Sequence, residues 1–152
     1  MNIRIMTIDD YDKIYAIWLN APGVGLNSST GDSRDGIAKY LERNPRTSFV
    51  AEKDGEIIGG ILCGHDGWRG FIHHTAVAQS EQRSGVGALL VKAAMSALER
   101  EGIKKARLVA FEENEIGNAF WEKQGFTTRP DLIYRDKAFT ELTKIETSTG
   151  SK

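Results

Sequence analysis

Cysteine is almost absent from this chain of 152 residues, where Cys63 stands alone. One thiol excludes an intramolecular disulfide and a thiolate metal cluster, and such sparing use fits a reducing compartment. Long apolar runs are missing as well. The stretch "IIGGILC" falls far short of the roughly 18 apolar residues of a membrane span, and "MNIRIMTIDD" has no apolar core of a leader. Neither sign of charge is in excess, with 20 basic against 21 acidic residues and a net charge of -1. No chain-wide field therefore favours nucleic acid, a membrane or an acidic partner, and any charged ligand needs a local site. Repeats, low-complexity tracts and a domain linker are absent too. What is present is a hydrophobic fraction of 40%, enough for one globular domain with a real core. A soluble cytoplasmic protein is expected.

"NIRIMT" alternates polar and apolar side chains and predicts a strand, after which Tyr11, Ile14, Tyr15, Trp18 and Leu19 share one helical face. Residues 20 to 31 are rich in Gly, Asn, Ser and Pro and read as an irregular loop. A second amphipathic helix follows, with Ile37, Tyr40 and Leu41, and ends before Pro45. "SFVAEKDGEIIGGILCG" is two apolar runs about an Asp-Gly turn, a hairpin signal, and "HDGWRG" turns the chain into "FIHHTAV". Three antiparallel strands in succession are predicted. From Gly87 to Glu101, Leu90, Ala94, Ala97 and Leu98 face Lys92, Ser96, Glu99 and Arg100 across a helix that Gly102 ends. "ARLVAF" reads as a buried strand, "EIGNAFWEKQ" as a short helix and "LIYRDKAF" as a final strand or hairpin arm. Residues 1 to 140 are expected to form a single domain and 141 to 152 a flexible tail.

The stretch "AVAQSEQRSGVGALL" carries the chemistry. A strand ends near Val77, a polar loop turns, and Gly85 and Gly87 let the backbone approach a ligand at the start of a helix. Unpaired amides at a helix N-terminus bind phosphate oxygens, so the junction reads as a pyrophosphate cradle; tight packing is the competing use of such glycines. A dinucleotide fingerprint needs a third glycine where Leu90 stands, and a P-loop needs Gly-Lys-Ser/Thr where Gly87-Ala88-Leu89 stands.

The remaining pattern, Gln82-x-x-Gly85-x-Gly87 after Ala76-Val77, resembles the acyl-coenzyme A motif of the GNAT superfamily of N-acetyltransferases. The order of elements from residue 2 to about 139 is similar to the family's, and "NEIGNAFWEKQGF" resembles its second motif. Within the family, "GGILCGHDGWRG" resembles a turn of the bacterial ribosomal-protein acetyltransferase and YpeA-like branch. The resemblance implies an α/β (α+β) GNAT fold: a mixed, mostly antiparallel central sheet with flanking helices and a splayed parallel pair, here 71 to 77 and 105 to 111. It implies an acetyl-CoA-dependent N-acetyltransferase in which a primary amine attacks the thioester directly. The cofactor would meet Ala76, Val77, Gln82, Arg83, Ser84, Gly85, Val86, Gly87 and Ala88, with Asn114, Asn118 and Trp121 from the second motif. The Val77 amide would stabilise the oxyanion. No nucleophile and no metal is required, and Cys63 reads as a small buried hydrophobe.

One departure stands out. The family's second motif commonly carries a Tyr that protonates the departing thiolate, and Trp121 occupies that position here. Indole N–H donates a hydrogen bond without serving as an acid, yet a thiol of pKa about 8.5 leaves readily. Trp121 then packs against Phe126, and Tyr134 is a substitute acid to consider. As base, His73 falls where the serotonin N-acetyltransferase branch has a histidine, and strand alternation sets it on the face opposite His74. Its ionisation is expected near pH 6 to 7. For the acceptor, Asp32, His65 paired with Asp66, Trp68 and His73 are the candidate contacts, although Asp32 or Ser33 also suits a helix cap. Partners are thus a peptide N-terminus, a lysine or a small amine, with a homodimer left open. The rival function is a noncatalytic acyl-CoA-binding module.

Overall fold

The computed structural model describes residues 1 to 21, 23 to 27, 31 to 141 and 143 to 145. Strand β1 (Asn2–Ile5) leads through a 3-10 turn to helix α1 (Tyr11–Leu19). A two-residue strand β2 (Leu26–Asn27) then precedes α2 (Arg34–Arg43). Strands β3 (Phe49–Lys53), β4 (Glu56–His65) and β5 (Gly70–Val77) follow, then α3 (Val86–Arg100), β6 (Ala106–Leu108), α4 (Glu115–Lys123) and β7 (Lys144–Ile145). The main sheet runs β1-β3-β4-β5-β6. Its first three pairings are antiparallel and β5–β6 is parallel. The β3–β4 turn is the expected Asp-Gly one, with φ of 52° at Asp54 and 79° at Gly55, the left-handed pair that a right-twisted hairpin requires.

Each face of the sheet buries one core. On one side Leu90, Val91, Ala94 and Leu98 of α3 pack on Ile61, Cys63 and Ile72. On the other, Ile14 and Trp18 of α1 and Ile37 and Leu41 of α2 pack on Val50, Leu62 and Ala76. Arg4 locks the first strand to this frame, reaching Asp10 at 2.8 Å and Glu52 at 2.9 Å.

Several expectations change. β6 spans only Ala106–Leu108, shorter than the predicted 105 to 111, because its pairing with β5 stops at Ile72–Leu108. Past that rung β5 continues to Val77 with no strand partner on this edge, which is the splay. No strand forms over 132 to 139, where Leu132, Ile133 and Tyr134 are 60%, 75% and 65% exposed. Apolar runs there find no cross-strand partner, and a strand is stabilised by its partners more than by its own sequence. Lys144 and Ile145, placed by the sequence reading in a flexible tail, pair with Asn27 and Leu26. That tail's Leu142 and residues 146 to 152 lie outside the described residues.

Candidate active site

Between the rungs Ile61–Thr75 and Cys63–Ile72, two steps along β4 are met by three along β5. The extra residue is a β-bulge at His73 and His74, and a bulge breaks side-chain alternation. Both imidazoles consequently lie on the α1/α2 side, correcting the expectation of opposite faces. His73 meets Tyr40 of α2 at 5.4 Å between ring centroids, and His74 meets Trp18 of α1 at 4.8 Å.

The two histidines differ in environment. His74 Nε2 is 2.7 Å from Asp32 Oδ1, and both side chains are 15% exposed. Asp32 is held in turn by the Tyr11 hydroxyl, which donates to its carbonyl at 2.7 Å. Ser33, not Asp32, caps α2 by accepting from the Gly36 amide at 3.2 Å. Asp32, expected at the acceptor, is thus the partner of His74. His73 stacks on Phe71 at 4.6 Å with its edge open to solvent. Burial of its ring faces, with His74 beside it and Asp32 opposing, pushes its pKa down to about 4. The ionisation expected near pH 6 to 7 therefore does not belong to His73, which is a neutral imidazole at neutral pH.

At the far end of β5, the Ala78 amide donates to Ile58 at 2.8 Å. In an antiparallel pair successive N–H groups point to opposite edges, so the Val77 amide is turned away from β4 towards the splay. Gln82 Nε2 returns to the Val77 carbonyl at 3.2 Å and ties the loop to the strand end. Arg83 and Gly85 have φ of 65° and 88°, a left-handed pair that draws successive amides into one concavity. Gly85 is the N-cap of α3 and offers no side-chain cap. Among the described residues no acceptor is recorded for the amides of Val86, Gly87 and Ala88. Gly85 serves the turn, whereas a Cβ on Gly87 would meet Phe120 of α4 at 3.2 Å. Gly87 is thus needed for the packing of α4 on α3. Beside the cradle, a cleft of about 370 Å³ opens between Ala16, Ile17 and Asn20 and residues Val77 to Ser80.

Second-motif residues have local tasks. Asn114 caps α4, accepting from Gly117 at 3.1 Å, and Asn118 Nδ2 donates to the Phe111 carbonyl at 3.0 Å. Trp121 packs edge-on to Phe120 at 5.0 Å and Phe126 at 5.4 Å. The turn after β4 departs from expectation. His65 pairs with Glu101 at 2.7 Å rather than with Asp66, and its Nδ1 accepts the Gly67 amide at 2.9 Å. Asp66 accepts the Trp68 and Arg69 amides at 2.8 and 2.7 Å. Sequence adjacency suggested the wrong pair because α3 returns Glu101 to the sheet end. Trp68 lies at the end of β5 away from the cradle, 69% exposed. Tyr134 is exposed and lies outside any helix or strand. Burial raises the Cys63 thiol to about 12, consistent with an inert core residue.

Sequence reasoning missed the His74–Asp32 pair, and the buried, unpartnered hydroxyls of Tyr40 and Thr75. Only Tyr40 left a trace, as an apolar-face residue of α2. No helix among the described residues is long and apolar enough to cross a membrane.

The profile of the acetyltransferase (GNAT) family matches residues 11 to 126. An acetyltransferase of Pectobacterium atrosepticum is 28% identical over 128 residues, covering 84% of this chain and 89% of that one. The crystal structure of Ard1 from Thermoplasma volcanium superposes with a TM-score of 0.68 at 23% identity, over 83% of this chain and 82% of its own. AAC(6')-Iy, solved with the bisubstrate analogue CoA-S-monomethyl-acetylneamine, gives 0.69 at 19% identity, over 90% and 97% of the two chains.

Proposed function

Since the chain belongs to the GNAT acetyltransferase family, whose acyl donor is acetyl-CoA, we propose that it moves the acetyl group to a primary amine by direct attack at the splay. The observation that carries this reading is the end of β5. There the Val77 N–H, turned to an edge without a strand partner, adjoins a concavity of unused amides at the start of α3. Those groups fit the cofactor: Val86, Gly87 and Ala88 offer donors for a pyrophosphate at the positive end of a helix. When bound, acetyl-CoA supplies an electrophilic thioester carbonyl and a thiolate leaving group. Val77 N–H donates where negative charge develops on the carbonyl oxygen. His73, neutral and open at its edge, receives the amine proton, and His74 on Asp32 holds the bulge in place behind it. Titration calorimetry with acetyl-CoA, followed by a CoA-release assay over an amine panel, tests the reading. No binding at millimolar cofactor would refute it.

His73→Gln is expected to lower kcat/KM by about 10²-fold, at the low end for a positioned base. Because the folded pKa lies near 4, below the ordinary 6.5, the fold favours the neutral ring. The stability it contributes is complete above pH 6.5 and is lost as pH falls towards 4. Wild type should therefore lose melting temperature across that window faster than His73→Gln does. A wild-type inflection in kcat/KM near pH 6 to 7 that vanishes in the variant would contradict the lowered ionisation.

Trp121 favours one second reading, a noncatalytic acyl-CoA-binding module, since its indole packs in the core where an acid would stand. Trp121→Phe keeps that packing and deletes only the N–H, so most activity should remain. A loss beyond about tenfold, roughly 1.4 kcal/mol, would mean that the indole N–H contacts substrate or cofactor. Cofactor binding without CoA release for any amine would establish the second reading.

A further inference from the structure

Beside the histidine bulge lies a floor to which acetyl transfer by itself assigns no task. Phe71 and His73 stack on β5, and Tyr40 closes the α2 side of His73. Arg107 of β6, the register partner of Phe71, carries its guanidinium 5.6 Å from the Phe71 ring centroid. Beyond β6, Phe111 is 37% exposed and reaches the α1/α2 side, where a Cβ on Gly25 would meet its ring at 3.2 Å. The floor is therefore aromatic, open to solvent at His73 and Arg107, and continuous with the splay.

Its charge is distributed unevenly. Arg107 is exposed, and no carboxylate among the described residues forms an ion pair with it within 4.0 Å. Asp66, whose carboxylate feels the Arg107 charge, already accepts two turn amides. Asp32 is held by His74. Arg69, stacked 3.8 Å from the Trp68 ring centroid, adds a second cation at this end. The exposed carboxylates of Glu112 and Glu113 follow Phe111 at the other end, towards α4. An ammonium group thus meets negative charge near α4 and an anion meets positive charge at Arg107.

We propose that the acceptor is a primary amine on a flat aromatic body that carries a carboxylate at its opposite end. The ring lies on Phe71 and His73, the amine faces the splay, and the carboxylate takes the fork of Arg107 donors, a geometry guanidinium groups match. Two steps of about 3.3 Å along β5 and one strand spacing of about 4.8 Å separate His73 from Arg107 by roughly 8 Å, the span of a ring substituted at both ends. A polycationic acceptor meets like charge there. This inference deepens the acetyl-transfer reading and rests on it.

Three amines of one shape provide the test: 4-(aminomethyl)benzoate, 4-methylbenzylamine and 1,4-bis(aminomethyl)benzene. Their kcat/KM values are measured by CoA release, and their affinities for the cofactor-free protein by calorimetry. The carboxylate should exceed the neutral amine by about tenfold, the scale of one charge-assisted hydrogen bond, with the diamine poorest. Arg107→Gln should level the series and Arg107→Glu should reverse it, with acetyl-CoA affinity and melting temperature reported alongside to establish the fold. Equal values for the three amines, a preference for the diamine, or an order that Arg107→Glu leaves intact would overturn the inference. So would turnover of other amines with none of these three. Failure to bind acetyl-CoA at all would instead strike the acetyl-transfer reading, and the inference with it.

Discussion

Val77→Pro should lower kcat by about 10²- to 10³-fold, the loss typical of one oxyanion donor, while acetyl-CoA still binds. Proline deletes the backbone N–H and also changes a side chain that packs on the α3-side core, a packing loss that the Val77→Ala control reproduces. The ladder bond at this end of β5 comes from Ala78, whose amide donates to Ile58 at 2.8 Å, so the Val77 amide is not part of the β4 pairing. Proline is tolerated in a strand where its missing donor faces away from the partner. Ala76 before it is already in the extended conformation that a following proline prefers. Val77→Ala, which retains the amide, serves as the control and should keep nearly the wild-type rate. Stopped assays for kcat, calorimetry for cofactor affinity and a thermal melt separate the possibilities. An unchanged kcat in a folded Val77→Pro protein would remove the amide from the mechanism.

Gly87→Glu should abolish measurable acetyl-CoA binding and also destabilise the protein. Its Cβ would stand 3.2 Å from the Phe120 ring, and overpacking of this kind costs about 1 to 3 kcal/mol. The carboxylate would in addition face the phosphates in the first turn of α3. Ser84→Asp isolates the charge. Ser84 is exposed, and its hydroxyl donates only to the Glu81 carbonyl. This variant should keep the wild-type melting temperature and weaken acetyl-CoA by about tenfold or more, since one like charge at a helix N-terminus acts on a polyanion. Calorimetry and melting curves on both variants give the comparison. Wild-type affinity in Ser84→Asp would move the pyrophosphate away from the loop.

Much of this protein is determined by short-range pattern. The helical faces of α1, α2 and α3, the Asp54-Gly55 hairpin and the loop from Gln82 into α3 follow from spacing that a local stretch contains. Backbone amides make such a cradle legible, because their placement depends on the turn and the helix start rather than on distant partners. Side chains that act across elements were not legible. His74 finds Asp32 42 residues away and His65 finds Glu101 36 residues away, and no local spacing encodes either pair.

The β5 bulge shows the limit most clearly. Strand period assigns His73 and His74 to opposite faces, but the register of β5 against β4 inserts one extra residue and turns both to the α1/α2 side. Register is a property of two strands together, so it was decided only when β4 and β5 paired. The β5–β6 pairing ends at Ile72–Leu108, beside that bulge, and burial of His73 among the rings it meets there lowers its pKa. The chain alone determined the glycine turn and helix start at which we propose an acyl donor's phosphates rest. Tertiary structure decided which histidine stays neutral and open, which is clamped by a carboxylate, and where Arg107 meets the aromatic floor, because each of these depends on groups that only folding brings within a few ångströms of one another.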